Sequence, residues 1–551
     1  MRWGSRRMRG VAALALAGLG GIAAAQTPPA DRVGPVPTAT GLSPCRVDGL
    51  KNEVLCGSLR RALDPARPGG VQIDIGFVVV PALARRKHAD PVMLLAGGPG
   101  QSATALAPQI VAWMARLNNR RDLVLVDQRG TGRSAPLVCP DEPADLSIAQ
   151  RLDEARNDRL LRECRLQLQT LPYGDLRYFT TTLAMQDLDA VRAQLGAERV
   201  NLVGASYGTR AALEYLRLYP SRVRRMVIDG VAPPDMVLPN SFSVDNQAAL
   251  DALFARCEAE AACAKTFPAL RTTWSGLLQR LPLEASVRHP LTGVVERVRF
   301  ARSAVLATVR GPLYAPALAA GLPAAISLAA AGRWEALLGL ATAAPRQHSA
   351  EQLAAGMHYS VVCAEDVPRL AMAAEGPGAD FGADQAEHYA RVCADWPRGA
   401  VPEGFYAIAP SPAAVLVASG GADPATPPRH AERVVQRLGP LARHVVVAHA
   451  GHGVLSVGCL RDVLVRFVDA PRDADALAVD ATCADALPAP PAFIPSGITA
   501  AREATQRQPE EPAKAPAKPP AKTPTAGPAH AVARLPAADR VRQAPVSMEQ
   551  P

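Results

Sequence analysis

The chain has 551 residues, 48% of them hydrophobic and 20% charged, which is ample material for a buried core and excludes global disorder. Of the net charge of +9, residues before 26 hold +4 and residues 501–551 hold +3, which leaves only +2 across residues 26–500. A body so close to neutral gives no electrostatic case for a nucleic-acid partner, and none is expected.

Residues 1–25 read as an export signal. Arg2, Arg6, Arg7 and Arg9 form a cationic start, Val11–Ala25 is apolar, and Ala23-Ala24-Ala25 before Gln26 makes a small-residue cleavage site. The apolar run falls short of the ~20 residues a membrane span needs. The expectation is therefore an exported protein, periplasmic or secreted, with no stable membrane span after signal cleavage. Ten cysteines agree with export. They fall in order as Cys45/Cys56, Cys139/Cys164, Cys257/Cys263, Cys363/Cys393 and Cys459/Cys483, and neighbour pairing is the simplest of many possible connectivities. No C-x-x-C or H-E-x-x-H motif occurs, so no metal is expected.

Strands are read at Val71–Val80, Val92–Ala96, Leu123–Val126, Val200–Val203, Met226–Ile228, Ala414–Ala418 and Val445–Ala448. From Val92 onward the runs are continuously apolar, as strands covered on both faces should be. Helical patterns separate them. Leu188, Val191 and Leu195 recur at helical spacing before Gly196 ends the run. This alternation predicts an α/β fold, a mostly parallel sheet with helices on both faces. The strand rhythm stops over 233–410, 178 residues expected to form a large, mostly helical cap inserted between late sheet strands. The core is then split into 26–232 and 411–494. Residues 495–551, rich in Pro, Ala and Lys, are expected to be a disordered tail.

Gly204-Ala205-Ser206-Tyr207-Gly208 follows one of these strands and precedes a helical pattern. A serine on so tight a strand-to-helix turn is a candidate nucleophile, with the helix amino terminus favouring a developing anion. A nucleophile needs a base, and the base an orienting acid, in the chain order Ser, Asp, His on such folds. Asp423 follows the strand at Ala414. His452, between Gly451 and Gly453, follows the next strand 29 residues later; His449 is the rival base. The glycine loop Gly97-Gly98-Pro99-Gly100 offers an oxyanion donor at Gly98, with the Tyr207 N–H as the second. Gly130-Thr131-Gly132-Arg133-Ser134-Ala135 matches a dinucleotide fingerprint, but Pro136 and Pro140 follow where a helix should open, so dinucleotide binding is rejected.

Together, Gly97–Gly100, the segment Asp127-Gln128-Arg129-Gly130-Thr131-Gly132-Arg133-Ser134, Gly204–Gly208 and the Asp423/His452 pair resemble the prolyl aminopeptidase family of α/β-hydrolases. The long cap, the cysteines and Cys363-Ala364-Glu365-Asp366 are similar to its exported tripeptidyl-aminopeptidase branch. The resemblance covers roughly 45 to 485 and implies the α/β-hydrolase fold. It also implies a serine aminopeptidase that releases residues or short peptides from a free amino terminus, with no cofactor. A carboxylesterase or lipase-like hydrolase using the same triad on esters is the alternative. Ala96 departs from the pattern, standing where many relatives carry His. Glu365 and Asp366 are the cap carboxylates proposed to bind the substrate's ammonium group.

Overall fold

The computed structural model describes residues 41–143, 145–343, 353–373 and 375–496. The expected export signal, and all but the start of the expected tail, lie outside the described residues. The strands are β1 (Leu42–Cys45), β2 (Val54–Ala62), β3 (Gln72–Val80), β4 (Val92–Leu95), β5 (Leu123–Val126), β6 (Val200–Ala205), β7 (Val223–Asp229), β8 (Leu283–Arg288), β9 (Val295–Phe300), β10 (Ala414–Gly420) and β11 (Ala442–Val447). Nine of them form one sheet in the order β1-β2-β3-β5-β4-β6-β7-β10-β11. Pairing is antiparallel from β1 as far as the β3/β5 pair and parallel from β5 to β11.

Alternate residues of a strand point to opposite faces, and here both faces are covered. Met93, Leu95, Val124, Val126, Leu202, Met226 and Ile228 enter one core with Leu188, Val191 and Ala211, from the helices Thr181–Gln194 and Tyr207–Leu218. Leu94, Leu125, Val203, Val227 and Leu416 enter the other with Ile110, Val463 and Phe467, from Ala107–Trp113 and Leu460–Asp469. That two-sided burial explains the unbroken apolar runs. β11 departs from it: on the sheet edge, it buries only Val445 and Val447.

Between β7 and β10 the chain leaves the sheet. Helices Leu238–Ala259, Arg302–Leu313, Leu322–Ala330, Ala355–Glu365 and Asp384–Ala394 dominate this inserted segment. It also carries the antiparallel hairpin β8/β9, which the expectation of a mostly helical insertion did not include. All ten cysteines pair with their sequence neighbours, as Cys45–Cys56, Cys139–Cys164, Cys257–Cys263, Cys363–Cys393 and Cys459–Cys483. Among the described residues no helix is long and apolar enough to cross a membrane.

Candidate active site

β6 ends at Ala205, and the helix Tyr207–Leu218 begins two residues later. Ser206 absorbs the whole change of direction, with φ 55° and ψ −124°. Side-chain-bearing residues seldom hold such a conformation, and only strong surrounding constraints maintain it. Its N–H donates to the Asp229 carbonyl at 2.9 Å, and its own carbonyl accepts from the Thr209 N–H and hydroxyl. The flanking glycines are required by space. A Cβ added at Gly204 would collide with the Gly208 carbonyl, and one at Gly208 with the Leu95 carbonyl.

Asp423 and His452 lie in the loops after β10 and β11. His452 Nδ1 is 2.8 Å from Asp423 Oδ2. An ionised carboxylate can only accept, so Nδ1 carries the hydrogen and Nε2 is left as the proton acceptor. Asp423 also accepts from the N–H groups of Ala425 and Thr426 at 2.8 and 2.9 Å, and from the Thr426 hydroxyl at 2.8 Å. Burial opposes its ionisation, yet His452 and these donors hold it below the usual carboxylate range. For His452, burial alone would lower the pKa; the charge and hydrogen bond of Asp423, with the charge of Asp229, raise it instead. The rival His449 is exposed in the same loop.

Gly230 connects the two halves. It follows Asp229, which holds the Ser206 N–H, and a Cβ built on it would lie 3.3 Å from His452 Cε1. Ser206 and His452, the candidate nucleophile and base, therefore flank the same pair of residues at the carboxyl end of β7.

The glycine loop lies against Ser206: a Cβ at Gly97 would sit 3.3 Å from Ser206 Cβ. The Gly97 carbonyl accepts from Gln101 N–H at 3.3 Å, which orients the Gly97–Gly98 peptide and turns the Gly98 N–H the opposite way. Tyr207, first in its helix, has no carbonyl one turn back for its N–H. These are the two candidate oxyanion donors. Asp127, just ahead of the rejected dinucleotide motif, braces this loop. Asp127 is fully buried and accepts from Ser102 Oγ, Thr104 N–H, Thr104 Oγ1 and Arg133 N–H at 2.7–3.0 Å. Gly132 is a glycine because a Cβ there would run into the Asp127 carboxylate. Among the described residues no group of His, Cys, Asp or Glu is arranged to hold a metal.

The inserted segment reaches the same loops. Ala354 N–H donates to the Gly100 carbonyl at 2.9 Å, and His358 Nδ1 lies 3.2 Å from the Pro99 carbonyl. That carbonyl can only accept, so Nδ1 bears the hydrogen and His358 Nε2 accepts from Tyr389 Oη at 2.8 Å. Burial pushes His358 down to about 4, which keeps the ring neutral. On the other side the Tyr314 carbonyl accepts from His452 N–H at 3.0 Å, and its ring stands edge-on to the imidazole. Thr426, Asp229, His358 and Tyr314 were not anticipated from sequence. Thr426, three residues beyond Asp423, was the most accessible of them, as a local side-chain donor to a loop carboxylate.

Glu365 and Asp366 have a different setting from the one expected. They are 1% and 0% exposed. Asp366 takes both prongs of the Arg210 guanidinium at 2.9 and 3.0 Å, and the Leu238 N–H as well. Glu365 accepts from Thr181 N–H and Oγ1 at 2.8 and 2.9 Å, with Arg210 at 3.7 Å. Burial pushes it up to about 7, against Arg210 and Thr181. The assignment as ammonium acceptors is corrected accordingly: both carboxylates are engaged inside the protein, where they join the inserted segment to the helix that follows Ser206.

A family model described as alpha/beta hydrolase fold matches residues 90–458. The tripeptidyl aminopeptidase of Streptomyces lividans is 31% identical over 202 residues, which are 34% of this chain and 38% of that protein. Serine protease Hip1 of Mycobacterium tuberculosis is 29% identical over 210 residues, 35% of this chain and 39% of that protein. A probable proline iminopeptidase of Streptomyces coelicolor is 28% identical over 175 residues, 32% and 43% of the two chains. The match thus spans less than half the length of each curated relative.

Proposed function

The chain belongs to the alpha/beta hydrolase fold family, and from that premise we propose that it is an exported serine aminopeptidase. Its substrates are peptides with a free amino terminus, from which it releases residues or di- and tripeptides. The observation that carries the reading is the His452–Asp423 contact of 2.8 Å beside the strained Ser206 turn. The relatives named tripeptidyl aminopeptidase, serine protease and proline iminopeptidase support the peptidase class.

Ser206 Oγ attacks the scissile carbonyl while His452 Nε2 takes its proton. The carbonyl oxygen becomes an oxyanion, met by the N–H groups of Gly98 and Tyr207. Collapse breaks the C–N bond, and the imidazolium returns its proton to the leaving amine. Water then attacks the acyl-enzyme, its proton passing to His452 and on to Ser206. Asp423 keeps the imidazole in the required tautomer and stabilises its charged form. Residues 233–410 act as the cap over this site, and five disulfides favour an oxidising compartment outside the cytoplasm.

The test is a panel of free and acetylated peptide amides and p-nitrophenyl esters, assayed on the wild type and on Ser206→Ala. Turnover of the unblocked peptides that vanishes in Ser206→Ala is the expected result. Turnover confined to esters, or indifferent to acetylation, would overturn the aminopeptidase reading in favour of a carboxylesterase.

A further inference from the structure

Asp229 ends β7 and is 4% exposed, yet the mechanism above does not use its side chain. Its carbonyl holds the Ser206 N–H. Its Oδ2 accepts from the N–H groups of Val454 and Leu455, at 2.7 and 2.8 Å, just beyond His452. Its Oδ1 is buried with no hydrogen-bond partner among the described residues. Burying a carboxylate with one oxygen unpaired is costly, and such a group calls for an explanation. We propose that Asp229 is a second carboxylate in the service of His452, a positioning residue that ties the base loop to the nucleophile turn and places negative charge beside the imidazolium.

The inference rests on the serine-hydrolase reading. Three titratable groups face His452 among the described residues: Asp423 from the loop after β10, Asp229 from β7 and the neutral Tyr314 from the inserted segment. Around Asp229 the charged and titratable groups are His452 and Asp423. Burial pushes Asp229 up to about 6, against its two backbone donors and His452. Above that pH it is charged when His452 must accept a proton. The reactive form carries a neutral His452, so a charge that raises the imidazole pKa also raises the pH below which activity is lost.

Asp229→Asn keeps an oxygen for the Val454 and Leu455 N–H groups and removes the charge. The rate at which a fluorophosphonate probe labels Ser206, followed against pH, should fall off at a midpoint lower than wild type by about one unit. A folded variant with an unchanged midpoint overturns the proposal, since a purely structural role would leave the profile in place. If the variant does not fold, the wild type still decides the matter. The His452 ring resonances should titrate in two steps, one of them from Asp229, and a single step overturns the proposal. Wild type that neither labels nor hydrolyses any substrate brings down the hydrolase reading; labelling with an unmoved midpoint brings down the role of Asp229 alone.

Discussion

Arg210 and Asp366, 156 residues apart in sequence, meet in a two-pronged ion pair with no solvent exposure on either side chain. One stands in the first turn of the helix after Ser206 and the other directly follows the helix Ala355–Glu365 of the inserted segment. Breaking a buried pair leaves a charge uncompensated, which costs about 3–5 kcal/mol. Asp366→Ala should lose that much in chemical denaturation, and Arg210→Met combined with Asp366→Leu should recover much of it. Loss below 1 kcal/mol in Asp366→Ala, roughly the worth of an exposed pair, would mean that the clamp is not holding the fold.

Glu365, beside that pair, gives stability a pH dependence. Its folded pKa, about 7, lies above the ordinary carboxylate value of 4.5. Between those values the folded state binds more protons than the unfolded state, so this group's contribution falls as pH rises from 4.5 to 7. The shift corresponds to about 3 kcal/mol. Glu365→Gln should gain stability relative to wild type across that window. Urea midpoints for the two proteins, taken along the pH series, should diverge toward neutrality; parallel curves would refute it.

Thr426 donates its hydroxyl hydrogen to Asp423 Oδ2 and lies 3.1 Å from His452 Nδ1. Thr426→Val keeps the shape and removes a donor to a buried charge, worth about 1.5–3 kcal/mol. We expect kcat to drop by roughly tenfold to a hundredfold with KM little changed, because the charge it steadies matters most when the imidazolium forms. An equal rise in KM with kcat intact would place the residue in substrate binding instead.

Two glycine substitutions should behave oppositely. Gly208→Ala drives a methyl into the Leu95 carbonyl and should abolish soluble expression or lower Tm sharply. At Gly276, inside the helix Leu270–Gln279, nothing lies within 4 Å, so alanine should stabilise by about 0.5–1 kcal/mol. Thermal melts of the pair check both signs.

Ser206, Asp423 and His452 could be picked out as candidates because each follows its own apolar strand, and chain order then restricts the choice. The sheet interior was legible for a related reason, since burial on both faces leaves unbroken runs such as Val92–Leu95. β1 and β2 were hidden: Pro44 interrupts the first, and Arg60 and Arg61 break the second where it pairs with β3 near the sheet's antiparallel edge. The hairpin β8/β9 is mostly exposed and offers no apolar run. Glu365 and Asp366 read as substrate-facing because local sequence cannot display a partner as remote as Arg210. Asp229 escaped notice for the same reason, its donors Val454 and Leu455 lying 225 and 226 residues onward.

The two contacts that the inserted segment makes with the glycine loop, Ala354 N–H to Gly100 and His358 to Pro99, also bear on modularity. A segment that fixes consecutive carbonyls of the candidate oxyanion loop is not an interchangeable accessory. Swapping it for a relative's, or excising it to widen access for bulkier substrates, would strip that loop of its supports while leaving Ser206, Asp423 and His452 untouched. Chimeras built on this scaffold should therefore carry Ala354 and His358 along with the sheet, whatever else of the insertion they exchange.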